Sequence, residues 1–197
     1  MRKRAKIKIR LSFFRGFICS MAIREIVIYP DDRLRKPTKE VTVFDDELKE
    51  LVQDMFDSMY HYDGIGLAAP QIGISKRVVT IDICDYDNEG NAIEHHPLVL
   101  INPKILEKSG TTEYKEGCLS VPDYYDVVTR AEKVKVEAQD LEGNTHIYEA
   151  DDLLAICMQH EIDHLEGHLF VDYLSSLKRE RVNKKMLQLK KEHKNNS

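Results

Sequence analysis

The clearest periodicity in the chain lies in 44-FDDELKELVQDMFDSMYHYDG-64, where Leu48, Leu51, Val52, Met55, Phe56 and Met59 recur at intervals of three and four. That spacing lines one face of a helix with apolar side chains. Asp45 is placed to cap it, Asp46 and Glu47 suit the positive end of its dipole, and Gly64 is the expected stop. A second helix is predicted over 151-DDLLAICMQHEIDHLEG-167, capped by Asp151 and ended by Gly167. A third, basic helix is predicted from about Ser176 to Glu192, with Leu177, Val182, Met186 and Leu189 seating it on the body.

Strand-like runs occupy the space between: 24-REIVIYP-30, 77-RVVTIDIC-84, 98-LVLI-101, 124-YYDVVTR-130, 133-KVKVEAQD-140 and 145-THIYEA-150. The last two alternate apolar with polar residues around Gly143-Asn144, a hairpin signal. Strands grouped between helices, without regular β-α alternation, predict an α+β fold. Its antiparallel or mixed sheets would pack around the second helix, with the third helix at the C-terminal end.

Composition narrows the class. The 197 residues suffice for one domain with a core and are short for two. We therefore expect a single domain over 21–175 and a basic helix and tail over 176–197. Seven bases and no acid fall in residues 1–20; the remainder holds 22 bases against 34 acids, a charge near −12. Such a body is poorly suited to general nucleic-acid binding. The basic start precedes 11-LSFFRGFICSMAI-23, but Arg15 interrupts that run, against a secretory signal, and the run is too short to span a bilayer. An organellar transit segment fits the acid-free composition better. The reading adopted is an extended frame, with Met21 as the native start and residues 1–20 disordered or foreign to the mature chain. Four scattered cysteines (Cys19, Cys84, Cys118, Cys157) form no disulfide framework, and a cytoplasmic protein is expected.

The chemistry concentrates in 160-HEIDH-164. Residues four apart share a helix face, so His160 and His164 can address one ion. Glu161, about 100° further round, reaches a water beside that ion without ligating it. A solvated helix with incidental histidines is the plainer reading; Leu153, Ile156 and Cys157 beside them argue for a half-buried site. His168 follows Gly167 and is expected at the surface. The extended HExxHxxGxxH pattern fails at Phe170, and the downstream Glu180 lies in the basic helix. The best third ligand is Cys118 in 116-EGCLSVP-122, flanked by Gly117, which lets the backbone come close, and by Pro122, which ends the segment. Alone, Cys118 would more often be an inert buried thiol. One thiolate and two imidazoles leave a fourth position open. Cys157, one turn before His160, fits core packing behind the site.

Three segments, 64-GIGLAAPQIG-73, 116-EGCLSVP-122 and 160-HEIDHLEG-167, resemble in order and spacing the three motifs of peptide deformylases. The resemblance covers about residues 22–190. It implies a metal held by Cys118, His160 and His164, with Glu161 as acid and base, and removal of formyl groups from N-terminal formylmethionine. The metal would be one divalent ion per chain: Fe2+ in the cell, with Zn2+, Ni2+ or Co2+ able to take its place. The glycine loop, not preceded by a strand, is no dinucleotide site. It would form a wall of the cleft, where Gly64 and Gly66 admit a peptide and the Gln71 amide, with the Leu119 N–H, donates to the oxyanion. Ile65, Tyr114, Leu153, Ile156 and Cys157 would line a methionine pocket, or else are plain core. The segment Asp123-Tyr124-Tyr125 departs from many family members at the cleft rim. The basic helix is either a solvated face or, as the resemblance implies, a ribosome contact; nothing demands more than a monomer, and no membrane is expected. Two rivals stand beside it: a metallopeptidase on the same helix, and a structural zinc module with Cys157 or His168 as fourth ligand.

Overall fold

The computed structural model describes residues 22–86 and 92–195. The expectations for residues 1–20, including Cys19, lie outside the described residues. Helix α1 spans Asp46–His61, and the Asp45 carboxylate accepts the Leu48 N–H at 3.0 Å, as a capping residue should. Gly64 is not its stop. The chain turns at Asp63, in the left-handed region at φ 55°, while the Gly64 N–H donates back to the Met59 carbonyl.

Nine strands follow among the described residues: β1 (Gly66–Ala68), β2 (Val78–Asp82), β3 (Asp85–Tyr86), β4 (Ala92–Glu94), β5 (Pro97–Ser109), β6 (Thr112–Cys118), β7 (Val121–Arg130), β8 (Lys133–Gln139) and β9 (Thr145–Asp151). Five form a sheet in the order β1-β2-β5-β8-β9; β3 pairs with β4 and β6 with β7. All these ladders are antiparallel, and the only parallel pairing among the described residues is an isolated bridge between Lys39 and Lys76. The α+β expectation holds.

The sheet lies between two helices, and strand alternation decides which side chain faces which. Leu67, Val78 and Ile101 point toward Leu48, Val52, Met55 and Met59 of α1. Their neighbours Ala68, Val79, Ile81 and Leu100 face Ala155, Met158, Ile162 and Leu165 of α2 (Asp152–Leu165). Strand β2 is therefore buried along its whole length. The β6–β7 hairpin packs separately, against Phe170, Leu169 and the buried side of α3 (Ser176–Asn195), which contributes Val182 and Met186.

Several predicted elements shift. The run 24–30 is extended but joins no ladder; its N–H groups at Val27 and Tyr29 go to the carbonyls of Gln71 and Ser120. Its apolar residues are buried by packing instead, Ile26 beside α1 and Val27 beside the hairpin. The glycine loop contains the edge strand β1, and β6 went unpredicted. Pro122 lies inside β7 instead of ending a segment. Asp151 precedes α2, yet its side chain makes no capping bond. Leu177 is 59% exposed and does not seat α3. The hairpin at Gly143-Asn144 stands, with Gln139 opposite Thr145 and the Asp140 carboxylate accepting the Glu142 and Asn144 N–H groups.

Candidate metal centre

Helix α2 presents one face to the sheet and turns His160 and His164 toward the β6–β7 hairpin, with Glu161 beside Gly66 of β1. Both histidines are buried, with ring centroids 5.0 Å apart and planes at 76°. Facing them, Cys118 closes β6. Leu119 and Ser120 make the two-residue turn into β7, with Cys118 paired to Val121. The sulfur is thus held at a strand end and lies 3.2 Å from His164 Nε2. One donor atom each from Cys118, His160 and His164 fall within 4.8 Å of one another. A sulfur and two imidazole nitrogens at that separation suit iron, zinc, cobalt or nickel in their divalent states.

The two imidazoles are held differently. His160 Nδ1 lies 2.7 Å from the Glu116 carboxylate, which fixes the proton on that nitrogen and leaves Nε2 for a ligand. Glu116 is itself gripped by Arg130, Nε to Oε1 at 2.6 Å and Nη2 to Oε2 at 3.0 Å, both side chains only 3% exposed. Burial would raise the Glu116 carboxyl, but the His160 and Arg130 hydrogen bonds win and hold it at about 2. Burial likewise lowers His160, and is outweighed by its hydrogen bonds to Cys118 and Glu116, which raise it well above an ordinary histidine. His164 has no such anchor: its Nδ1 is buried without a hydrogen-bond partner, and burial pushes its pKa well down. It is a neutral imidazole at neutral pH, the form that ligates.

Glu161 is 4% exposed and its Oε2 has no hydrogen-bond partner. Burial pushes its carboxyl up to about 7. Gly66 shows how tightly β1 passes over it. A Cβ there would collide with Glu161 Oε1 and come within 2.8 Å of Cys157 Sγ, so only glycine admits the strand this close. Gln71 lies in the 3-10 turn after β1, where its Oε1 accepts the Ala68 N–H at 2.8 Å. Its Nε2 faces Cys118 Sγ at 3.4 Å and Ser120 Oγ at 3.3 Å.

The residues expected at the methionine pocket range from exposed to buried. Ile65 and Tyr114 are each 41% exposed, Leu153 is half-buried, and Ile156 and Cys157 are buried. Burial raises the Cys157 thiol well above its ordinary pKa, as a packing residue would show. Gly117 lies under the Tyr125 ring, 2.6 Å from its Cδ1 to where a Cβ would sit. The ligand cluster among the described residues includes neither Cys157 nor His168. His168 is exposed, 4.0 Å from Asp172, and Glu180 pairs with Lys184 on the surface. A closed four-ligand zinc module therefore has no fourth donor in that cluster.

Sequence reasoning missed Glu116, Arg130, Asp163 and Tyr173, which surround the ligands. Glu116 carried a usable signal: it precedes Cys118 by two, the spacing that puts two strand residues on one face. Arg130, at the far end of β7, carried none.

Residues 23–180 match the family model described as polypeptide deformylase. A peptide deformylase of Pseudoalteromonas translucida is 51% identical over 84% of this chain and 95% of its own length. The crystal structure of a peptide deformylase from Legionella pneumophila is 49% identical, covering 87% of this chain and 98% of its own, with a TM-score of 0.77. That from Ehrlichia chaffeensis in complex with actinonin is 42% identical, covering 84% and 96%, with a TM-score of 0.78. With the match spanning all three sequence motifs and the folds superposing over the same extent, this chain belongs to the polypeptide deformylase family, metal-dependent hydrolases that remove the formyl group from N-formylmethionyl peptides.

Proposed function

We propose that Cys118, His160 and His164 hold the catalytic ion of this deformylase, and that Glu161 moves the protons of the reaction. The observation that carries this reading is the ligand cluster with a buried carboxylate, one oxygen of it unpartnered, on the residue after His160. A divalent ion held there, Fe2+ in the cell or Zn2+, Ni2+ or Co2+ in its place, supplies Lewis acidity, lowering the pKa of a coordinated water and polarising a carbonyl.

The remaining work falls to the chain's own groups. Glu161, poised near 7, takes the proton of the attacking water and passes it to the departing amine as formate is released. The Gln71 amide makes two long contacts and trades one for the developing oxyanion, beside the Leu119 N–H of the hairpin turn. Gly66 lets β1 lie directly against Glu161, and Gly117 makes room for the Tyr125 ring; selectivity for formyl is steric, in a site that admits a hydrogen on the carbonyl carbon and no side chain. Ile65, Tyr114, Leu153, Ile156 and Cys157 receive the methionine side chain. Formate release from a formyl-Met dipeptide, measured beside cleavage of its unformylated counterpart, tests this reading. A protein that cleaves only the unformylated peptide is a metallopeptidase, and the proposal fails.

We place the enzyme in the cytoplasm as a monomer, at the ribosome through α3. No described helix is long and apolar enough to cross a membrane. Arg179, Arg181, Lys191 and Lys184, the last paired with Glu180 of the same helix, are exposed on α3, while Lys178 and Lys185 are tied to the body by Asp126 and the Asp123 carbonyl. Four phosphate contacts would weaken binding on the order of a hundredfold between about 50 and 200 mM salt. Co-sedimentation with ribosomes should show that dependence and vanish on truncation after Leu177; salt-independent binding, or binding that survives truncation, counts against it.

A further inference from the structure

The three ligands come from two separate elements, and something must fix the distance between them. Cys118 rides on the β6–β7 hairpin, whereas His160 and His164 belong to α2. Besides the Cys118–His164 contact and the Gln159 amide bonded to the Ala131 backbone, two charged ties cross this gap. One is Glu116 to His160; the other runs from Arg130 Nη1 to Asp163 Oδ2 at 2.5 Å. Because Arg130 also forks onto Glu116, a single guanidinium joins a carboxylate of the hairpin to one of the helix. Asp163 sits three residues after His160 and one before His164, so its tie acts directly on the turn that carries both imidazoles.

Tyr173 completes the assembly from the 3-10 segment Phe170–Tyr173 that precedes α3. Its ring covers the guanidinium, with Arg130 Cζ 4.5 Å from the centroid. Its hydroxyl donates at 2.8 Å to Asp163 Oδ2, the same oxygen that Arg130 holds. Arg130 is 3% exposed although Tyr173 itself is 52% exposed, so the ring lies outside the ion pair. A cation stacked on an aromatic face and screened from water binds its carboxylates more firmly than one in solvent.

We infer that Asp163 and Tyr173 are positioning residues whose hold on Arg130 sets the reach between Cys118 and the two imidazoles, and so the retention of the ion. The inference rests on the proposal that these three side chains are the ligands. Neither residue belongs to the cleft, so both act through Arg130 and Glu116.

The test compares Asp163→Asn, Tyr173→Leu and Tyr173→Phe in zinc-loaded protein. Three quantities are read: the rate of zinc loss to a chelator, the NMR signal of the His160 Nδ1 proton, and the melting temperature. Outer partners of metal-bound histidines typically change affinity by about 10- to 100-fold. Asp163→Asn and Tyr173→Leu should release zinc faster by that order and shift the His160 signal, with KM for a formyl peptide unchanged. Tyr173→Phe keeps the ring and should stay closer to the parent. A lowered melting temperature with parental zinc release and an unmoved His160 signal marks a merely structural role and overturns the inference, as does parental behaviour throughout. Should Asp163→Asn fail to fold, Tyr173→Leu decides. Absence of formate release by the parent would sink the proposed function instead, and leaves these zinc measurements to stand or fall alone.

Discussion

Glu161→Gln should load metal normally yet release formate about 10²- to 10⁴-fold more slowly than the parent, the usual share of a positioned acid and base. The amide keeps the volume of the carboxylate beside Gly66, where there is no room for a larger group. What it lacks is basicity. The substitution should also stabilise the metal-stripped protein, and the sign follows from the direction of the shift. Burial raises the folded-state pKa from 4.5 to about 7, so the folded form holds its proton more tightly than the unfolded chain. Glu161 therefore costs nothing below pH 4.5, costs progressively more as pH rises towards 7, and reaches its full penalty above that. A shift of that size corresponds to at most about 3 kcal/mol. Chelator-treated Glu161→Gln should melt higher than the parent at pH 8, and the gap should close as pH falls towards 5. Parental turnover in this variant removes Glu161 as the base.

The helix with its two histidines was legible because its information is local. Four-residue spacing fixes a face whatever surrounds it, and α1 was legible for the same reason. Cys118 could be singled out by chemistry, since two imidazoles called for a third donor. Its address could not: it proved to end a strand, whereas 112-TEYKEGC-118 is mostly polar and gives no strand pattern. The error at 24–30 has the opposite cause. Ile26, Val27 and Ile28 look like strand residues, but burial in two separate clusters, not a ladder, accounts for them. Strand β1 is built of Gly66, Leu67 and Ala68, none β-branched, and exists because β2 offers it a partner. The Glu116–Arg130–Asp163 network pairs residues 14 and 33 positions apart across strand and helix. Only the folded register brings them together.

Cys118→Ala should leave a folded protein that cannot keep its ion. The side chain is half-buried among Val121, Phe170 and their neighbours, so trimming it removes one sulfur's worth of packing and should cost only about 1 kcal/mol. Its chemical loss is larger. Two imidazoles of one helix remain, and losing a direct ligand should exceed the roughly 10- to 100-fold typical of losing an outer partner. Cys118→Ser should fare little better, since a hydroxyl stays protonated at neutral pH and is a harder donor than a thiolate. Proton release sharpens the test. A thiol sheds its proton on binding metal, so loading the parent should liberate one proton more than loading the alanine variant, and the parent's affinity should rise more steeply with pH. Cobalt-loaded parent should carry a thiolate charge-transfer absorption that both variants lose. If Cys118→Ala instead retains one equivalent of metal through gel filtration, with the parental proton count, then the sulfur 3.2 Å from His164 is a neighbour and not a ligand. The ion would then sit on the histidines and some other donor, as a metallopeptidase centre would require.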